Sequence, residues 1–445
     1  MTKNLANSPF WERLAHRRIV ILALPMILSN ITTPLIGMVD TAVLGHMQNS
    51  LFLAGAAIAS LILTQTYWLC GFIRMSSTGL SAQAKGRQDQ TQASKVLWHS
   101  VSIALGIGLF IWFMQQPLLS LGLHLSAAGS ALQDIISQYF TVRIYGAPAA
   151  LANLAIIGWL IGQQQTRQVL IIQLLANLLN AALSIFMVFV LGWGVKGVAL
   201  ASVLAEYSIF VSGMWLAVRH TGNIRPKLAD WHWSELAKLM SLNGHSFIRN
   251  LALQLCLAFV IFQGARYGQM TAATNAIVMQ FFALIALGLD GIAYAVEALV
   301  GEAKGRASNQ QVYIVVLQGL FWSAIMAGLY SLGFVFFGHE IIGLLTNLPE
   351  LRTFSYAYLP IICLLPVVSH WCFLLDGAFV GLTRAKAMQN SMLVSSLLIF
   401  FPSWWLLRDL ENMALWIALL VFMLARGASL GWYFTFLYQR DRLVA

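Results

Sequence analysis

The stretch that decides the fold is Ile19–Leu44, IVILALPMILSNITTPLIGMVDTAVL, in which Asp40 is the one charged residue. A helix needs roughly 20 apolar residues to cross the hydrocarbon core of a bilayer, and this stretch supplies them. A lone carboxylate inside such a helix costs up to roughly 2.5–3.5 kcal/mol on insertion scales, the value at the helix centre. Taking up a proton, pairing with a cation or facing water lowers that cost, and each is an event a transporter can use. Pro25 and Pro34 share the helix, where each removes a backbone hydrogen bond and favours a kink or a hinge.

Outward from this segment the composition stays the same. Of the 445 residues, 59% are hydrophobic and 9% charged, against about 25% charged in soluble proteins. The chain therefore reads as an all-α polytopic membrane protein with no soluble domain of useful size. The net charge of +10 is no nucleic-acid footprint, because the basic residues fall in short loops, where orientation in the membrane accounts for them. Cys70, Cys256, Cys363 and Cys372 lie inside apolar segments without metal-ligand spacing, so neither a metal site nor a disulfide framework is expected.

Twelve spans are expected, at about 19–45, 51–80, 95–121, 134–161, 168–191, 196–218, 241–267, 271–301, 311–337, 354–382, 387–407 and 413–437. With the N-terminus inside, the outer loops hold only Lys196, Arg352 and Arg408, while the inner ones collect Lys85, Arg87, Arg167, Arg225, Lys227, Lys304, Arg306, Arg384 and others. This asymmetry predicts an N-in, C-in topology. The expected organisation is a cytoplasmic lead at 1–18, a six-helix half at 19–220, a cytoplasmic linker at 221–240, a second six-helix half at 241–438 and a tail at 439–445.

The halves resemble each other. Ala84-Lys85-Gly86-Arg87 recurs as Ala303-Lys304-Gly305-Arg306, and Gly158 with Gly162 recurs as Gly377 with Gly381, both at an offset of 219 residues. Six spans per half is an even number, so the repeat is parallel. It predicts a pseudo-two-fold along the membrane normal, with substrate binding between the halves near mid-membrane.

Polar residues inside the spans mark the candidate sites. The first span carries Asn30, Thr33, Gly37, Asp40 and Thr41 on one predicted face, and the fifth carries Gln173, Asn177, Asn180 and Ser184. Such stripes face protein or water rather than lipid. By themselves they read equally as helix–helix contacts; beside Asp40 they read as a shared proton or ion site, to which Tyr139 can donate a hydrogen bond. Asn153, Asn177 and Asn180 are expected to line the N-terminal part of a substrate cleft. Asp290, Tyr294 and Glu297 share a face of the eighth span and stand as secondary candidates. Glu206 and Asp376 read as structural partners of buried arginines among Arg74, Arg143, Arg249, Arg266 and Arg426. The chain has no Walker A loop and no H-E-x-x-H motif, and no catalytic residue, metal or cofactor is expected.

At this point the chain resembles a known family. Leu24-Pro25-Met26-Ile27 through Val39-Asp40-Thr41-Ala42-Val43-Leu44-Gly45-His46 is similar to the first helix of MATE (multidrug and toxic compound extrusion) transporters of the bacterial DinF-like branch. Arg74–Ala84, Leu289–Ala298, Leu375-Asp376-Gly377 and Gly381-Leu382-Thr383-Arg384 match the same branch. The resemblance covers essentially the whole chain. It implies ion-coupled efflux of drug-like, often cationic, compounds from a monomer in the bacterial inner membrane. It also implies a cation site around Asp40 with contributions from Tyr139, Asn180 and Ser202, and bending of the first helix near Pro25 when the acid is protonated. The chain departs from the pattern at Ser184, where members with a full site carry a second acid. One carboxylate suits a proton better than Na⁺, so proton-coupled antiport is the expectation. Sodium-coupled efflux, or flipping of lipid-linked oligosaccharides, is the alternative.

Overall fold

The computed structural model describes residues 13–47, 50–126, 129–222, 224 and 233–444. Most of the N-terminal lead, residues 223 and 225–232 of the linker with Arg225 and Lys227, and the side chain of Thr33 lie outside the described residues. Everything described is helix, turn or short connection, with no strand among the described residues. The helices are α1 Arg13–Gly45, α2 Ser50–Leu69, α3 Phe72–Gly86, α4 Gln90–Phe113, α5 Gln115–Ser126, α6 Ser130–Arg143, α7 Ala147–Gly162, α8 Thr166–Ile185 and α9 Gly194–His220. They continue as α10 Trp233–Arg266, α11 Gln269–Gly305, α12 Asn309–Leu345, α13 Pro349–Tyr356, α14 Leu359–Gly381, α15 Ala385–Val394, α16 Phe401–Leu406 and α17 Asn412–Gln439.

Among the described residues, eleven helical stretches are long and apolar enough to cross a membrane. The remaining expected span, 387–407, is divided: α15 passes into a π-helical segment, Ser395–Phe400, and then into α16. Pro402 supplies the reason, since it has no N–H for the preceding turn and its ring crowds the carbonyl four residues earlier. The first helix, by contrast, runs unbroken through Pro25 and Pro34.

The chain forms two compact units, one of Leu28–Met240 and one of Met1–Ile27 with Ser241–Ala445. The start of α1 thus packs with the second repeat. Gly291 of α11 explains the fit, because a Cβ there would lie 3.1 Å from the Cα of Ile27. Arg18 of α1 donates to Glu302 of α11 at 2.6 Å, and the indole of Trp322 donates to His16 at 3.1 Å.

The repeat seen in the sequence is a repeat of contacts. Lys85 Nζ donates to the Gln163 carbonyl at 2.7 Å, and Lys304 Nζ to the Leu382 carbonyl at 2.8 Å. A Cβ on Gly158 would come within 2.5 Å of the Arg74 carbonyl oxygen, and one on Gly377 within 2.7 Å of the Ala293 oxygen. Both pairs of partners stand 219 residues apart. The glycines let α7 lie against α3, and α14 against α11, at backbone distance, the small-residue packing typical of membrane helices. The lysines close each helix pair by capping the carbonyls where α7 and α14 end. The second unit is further held at one end by a buried polar knot: Asn275 and Asn412 exchange amide bonds of 2.8 Å, and Trp416 and Tyr358 join them.

Candidate functional site

From Ser29 onward α1 lies alongside α8, and the two polar stripes meet in parallel. The Ser29 hydroxyl donates to Gln173, the Asn177 amide donates to the Thr32 hydroxyl at 3.3 Å, and Asp40 meets Asn180 and Ser184. The face that α1 presents is shifted one position from the expected one. Ser29 and Thr32 bond to α8; Asn30 is half-buried, as Thr32 is, and Gly37 and Thr41 are exposed. Ser29 and Thr32 lie three residues apart, and Asp40 eleven from Ser29, which is the spacing of one helix face.

Asp40 is held by neutral donors. Ser184 Oγ donates to Oδ1 at 2.9 Å, and Asn180 Nδ2 and Ser202 Oγ donate to Oδ2 at 3.3 and 3.4 Å. Ser202 also lies 3.4 Å from Asn180 Oδ1. Asn180, Ser184 and Ser202 are themselves buried. Hydrogen bonds to a charged group are worth about 1.5–3 kcal/mol each, enough together to offset the cost of placing one carboxylate in the membrane. A proton on Asp40 changes this arrangement unevenly. A serine hydroxyl can reverse and accept, but an amide N–H cannot, so a proton on Oδ2, which leaves that oxygen a weaker acceptor, weakens the bond from Asn180.

The remaining candidates fall into neighbouring networks of the same unit. The Tyr139 hydroxyl accepts from Ser60 at 3.0 Å. Arg143 grips Glu206 through two bonds of 2.8 and 2.6 Å, and Asn153 donates to the Glu206 backbone carbonyl at 2.9 Å. Asn153 is therefore part of the frame that sets α7 against α9. Neither the bonding of Tyr139 to Ser60 nor that of Asn153 to a backbone carbonyl leaves a local trace in the sequence, because the partners lie 79 and 53 residues away.

In the second unit Asp376 receives both Arg249 and Arg426, so the two acids read as arginine partners have them. Glu297 is buried and Asp290 half-buried on α11. No group of three or more His, Cys, Asp or Glu capable of holding a metal ion occurs among the described residues. Gly427-Ala428-Ser429-Leu430-Gly431 spells the G-x-S-x-G spacing of a hydrolase nucleophile. It lies in the middle of α17, however, with Ser429 bonded to the Arg426 carbonyl, and not on the strand-to-helix turn such a nucleophile requires.

Eleven candidate spans, two units repeated at a fixed offset and, inside the first span, a half-buried carboxylate held by neutral donors define the class: a multi-pass membrane transporter. The chain belongs to the MatE family, whose model matches residues 25–186 and 246–405, and it is a MATE transporter. It is 39% identical over 418 residues to DNA damage-inducible protein F of Escherichia coli (strain K12), covering 92% of this chain and 90% of that one. It is 23% identical over 353 residues to a probable multidrug resistance protein NorM of Thermotoga maritima, covering 76% and 74%. Among solved structures, MATE in the bent conformation superposes with a TM-score of 0.86 at 18% identity, over 96% of both chains. MATE in the straight conformation does so with a TM-score of 0.85 at 18% identity, over 97% of both.

Proposed function

We propose that this transporter is a proton-coupled antiporter that expels drug-like, often cationic, small molecules from a bacterial cell across its inner membrane, as a monomer with both termini inside. The observation that carries the reading is the set of partners around Asp40: three neutral donors, one of them a serine, Ser184, where a second acid would serve a metal cation. A proton entering from outside neutralises Asp40, weakens the Asn180 bond and loosens α1 from α8. Released from α8, α1 bends near Pro25, about 22 Å away along a helix that rises 1.5 Å per residue. Relatives of this fold described as bent and straight support a first step of that kind, and the NorM relative supports drug-like substrates. Gln173 and Asn177 bond to Ser29 and Thr32, so the same loosening frees their amides for substrate.

The test is dye efflux in everted vesicles with a proton gradient or a sodium gradient imposed alone. Efflux driven by protons in sodium-free buffer, and lost on adding an uncoupler, supports the reading. Efflux that requires sodium overturns it.

A further inference from the structure

Away from Asp40, an open groove of about 660 Å³ lies in the first unit between α4 and the last turns of α9. Its floor and walls are apolar: Phe210, Met214 and Val218 follow one another at four-residue steps along α9, with Val211 and Trp215 beside them, and Trp98 closes it from α4. One charged group stands at the rim: Arg219 is exposed and lies over the Trp215 ring, 5.4 Å from its centroid, where ring and guanidinium attract each other.

The repeat shows that this groove is a departure and not a by-product of the fold. At the positions 219 residues on from Trp215 and Arg219 stand Phe434 and Tyr438. There Tyr313 stacks on both rings, with centroids 6.2 and 4.0 Å away. Tyr313 corresponds to Ser94, whose hydroxyl instead donates to the Ile224 carbonyl at 2.6 Å. The second unit fills with three stacked rings the place that the first leaves open beside an arginine.

We propose that the groove is a binding site for an anionic phospholipid. One acyl chain lies along Phe210, Met214 and Trp215, and the phosphate pairs with Arg219. The complement is chemical: an apolar trough open to the side and a cation at its end. Tryptophan and arginine at a helix end sit at headgroup depth. On the orientation proposed above the lipid belongs to the cytoplasmic leaflet, but binding itself does not depend on that orientation.

The experiment is native mass spectrometry of the delipidated full chain, offered equal amounts of phosphatidylglycerol and phosphatidylcholine with identical acyl chains. The wild-type protein is expected to retain phosphatidylglycerol in preference. Arg219→Ala should cut that preference about fivefold, the effect of one basic residue near an anionic surface, while Arg219→Lys keeps most of it. Val211→Trp, which fills the trough, should lower retention of both lipids. Dye efflux by Arg219→Ala in vesicles checks that the variant is folded. A wild-type protein without headgroup preference, or an Arg219→Ala protein with the full preference, overturns the proposal. So does a dimer abolished by Val211→Trp without any lipid selectivity, which would assign the groove to a second copy of the chain.

Discussion

Replacing Glu206 by glutamine is expected to destabilise the protein far more than replacing Glu206 and Arg143 together by leucine and methionine. The two side chains meet in a two-pronged pair at 2.8 and 2.6 Å, each only 17% exposed. Gly146 packs so close that any Cβ there would collide with the Glu206 carboxylate. Breaking a buried pair by removing one partner costs about 3–5 kcal/mol, because the other charge stays buried and unpaired. Replacing both by apolar groups of similar volume is often neutral. A loss of about 3 kcal/mol is a large part of a total stability of about 5–15 kcal/mol. Thermal unfolding in detergent micelles can be followed with a thiol-reactive fluorophore, since Cys70, Cys256 and Cys372 are buried and free. The single variant should unfold well below the wild type and the double variant near it. A single variant that unfolds at the wild-type temperature, or a double variant worse than the single, would refute the reasoning that the pair is desolvated and compensates itself.

Gly381→Val should sharply lower the yield of folded protein, because a Cβ there would lie 2.5 Å from the Glu297 carbonyl oxygen, whereas Gly333→Ala should be neutral, since nothing lies within 4 Å; size-exclusion profiles distinguish the two. Ser184→Asp places a second carboxylate beside Asp40 and should give sodium-stimulated efflux that the wild type lacks; an unchanged ion requirement would count against the placement of Ser184 at the site. Pro25→Ala restores a backbone donor within α1 and favours its unbent form, so the variant should bind dye as the wild type does yet turn over slowly; equal turnover would leave α1 without a hinge at that position.

How much of this could be read in advance depended on the kind of contact. The spans, the repeat and the pairing of Glu206 and Asp376 with arginines were legible because membrane burial makes charge rare. A rare charge inside a span must have a partner, and few are available. The glycine pairs were legible for a similar reason, since only backbone-to-backbone packing calls for them at an offset shared by both halves. The facing of α1 was less legible. Adjacent residues on a helix lie 100° apart, and Ser29-Asn30 and Thr32-Thr33 are both polar doublets, so which member faces α8 depends on packing that no local pattern records. The bonding of Tyr139 to Ser60 was illegible because it joins α6 to α2 across 79 residues. The packing of the start of α1 with the second unit was illegible for the same reason, as it rests on Gly291, far along the chain.

The measurement that bears most directly on the account is coupled proton movement by Asp40→Asn in proteoliposomes. Asparagine keeps the shape of aspartate: its Oδ1 still accepts from Ser184, and the Ser202 hydroxyl can turn to accept from its amide N–H, so the fold is kept, but that amide cannot take up a proton near neutral pH. With a pH-sensitive dye enclosed and a proton gradient imposed, adding a transported dye to the wild-type protein should release protons in step with substrate movement. The account predicts that Asp40→Asn, folded and inserted as the wild type is, shows neither proton movement nor gradient-driven transport. Gradient-driven transport by Asp40→Asn at the wild-type rate would contradict it.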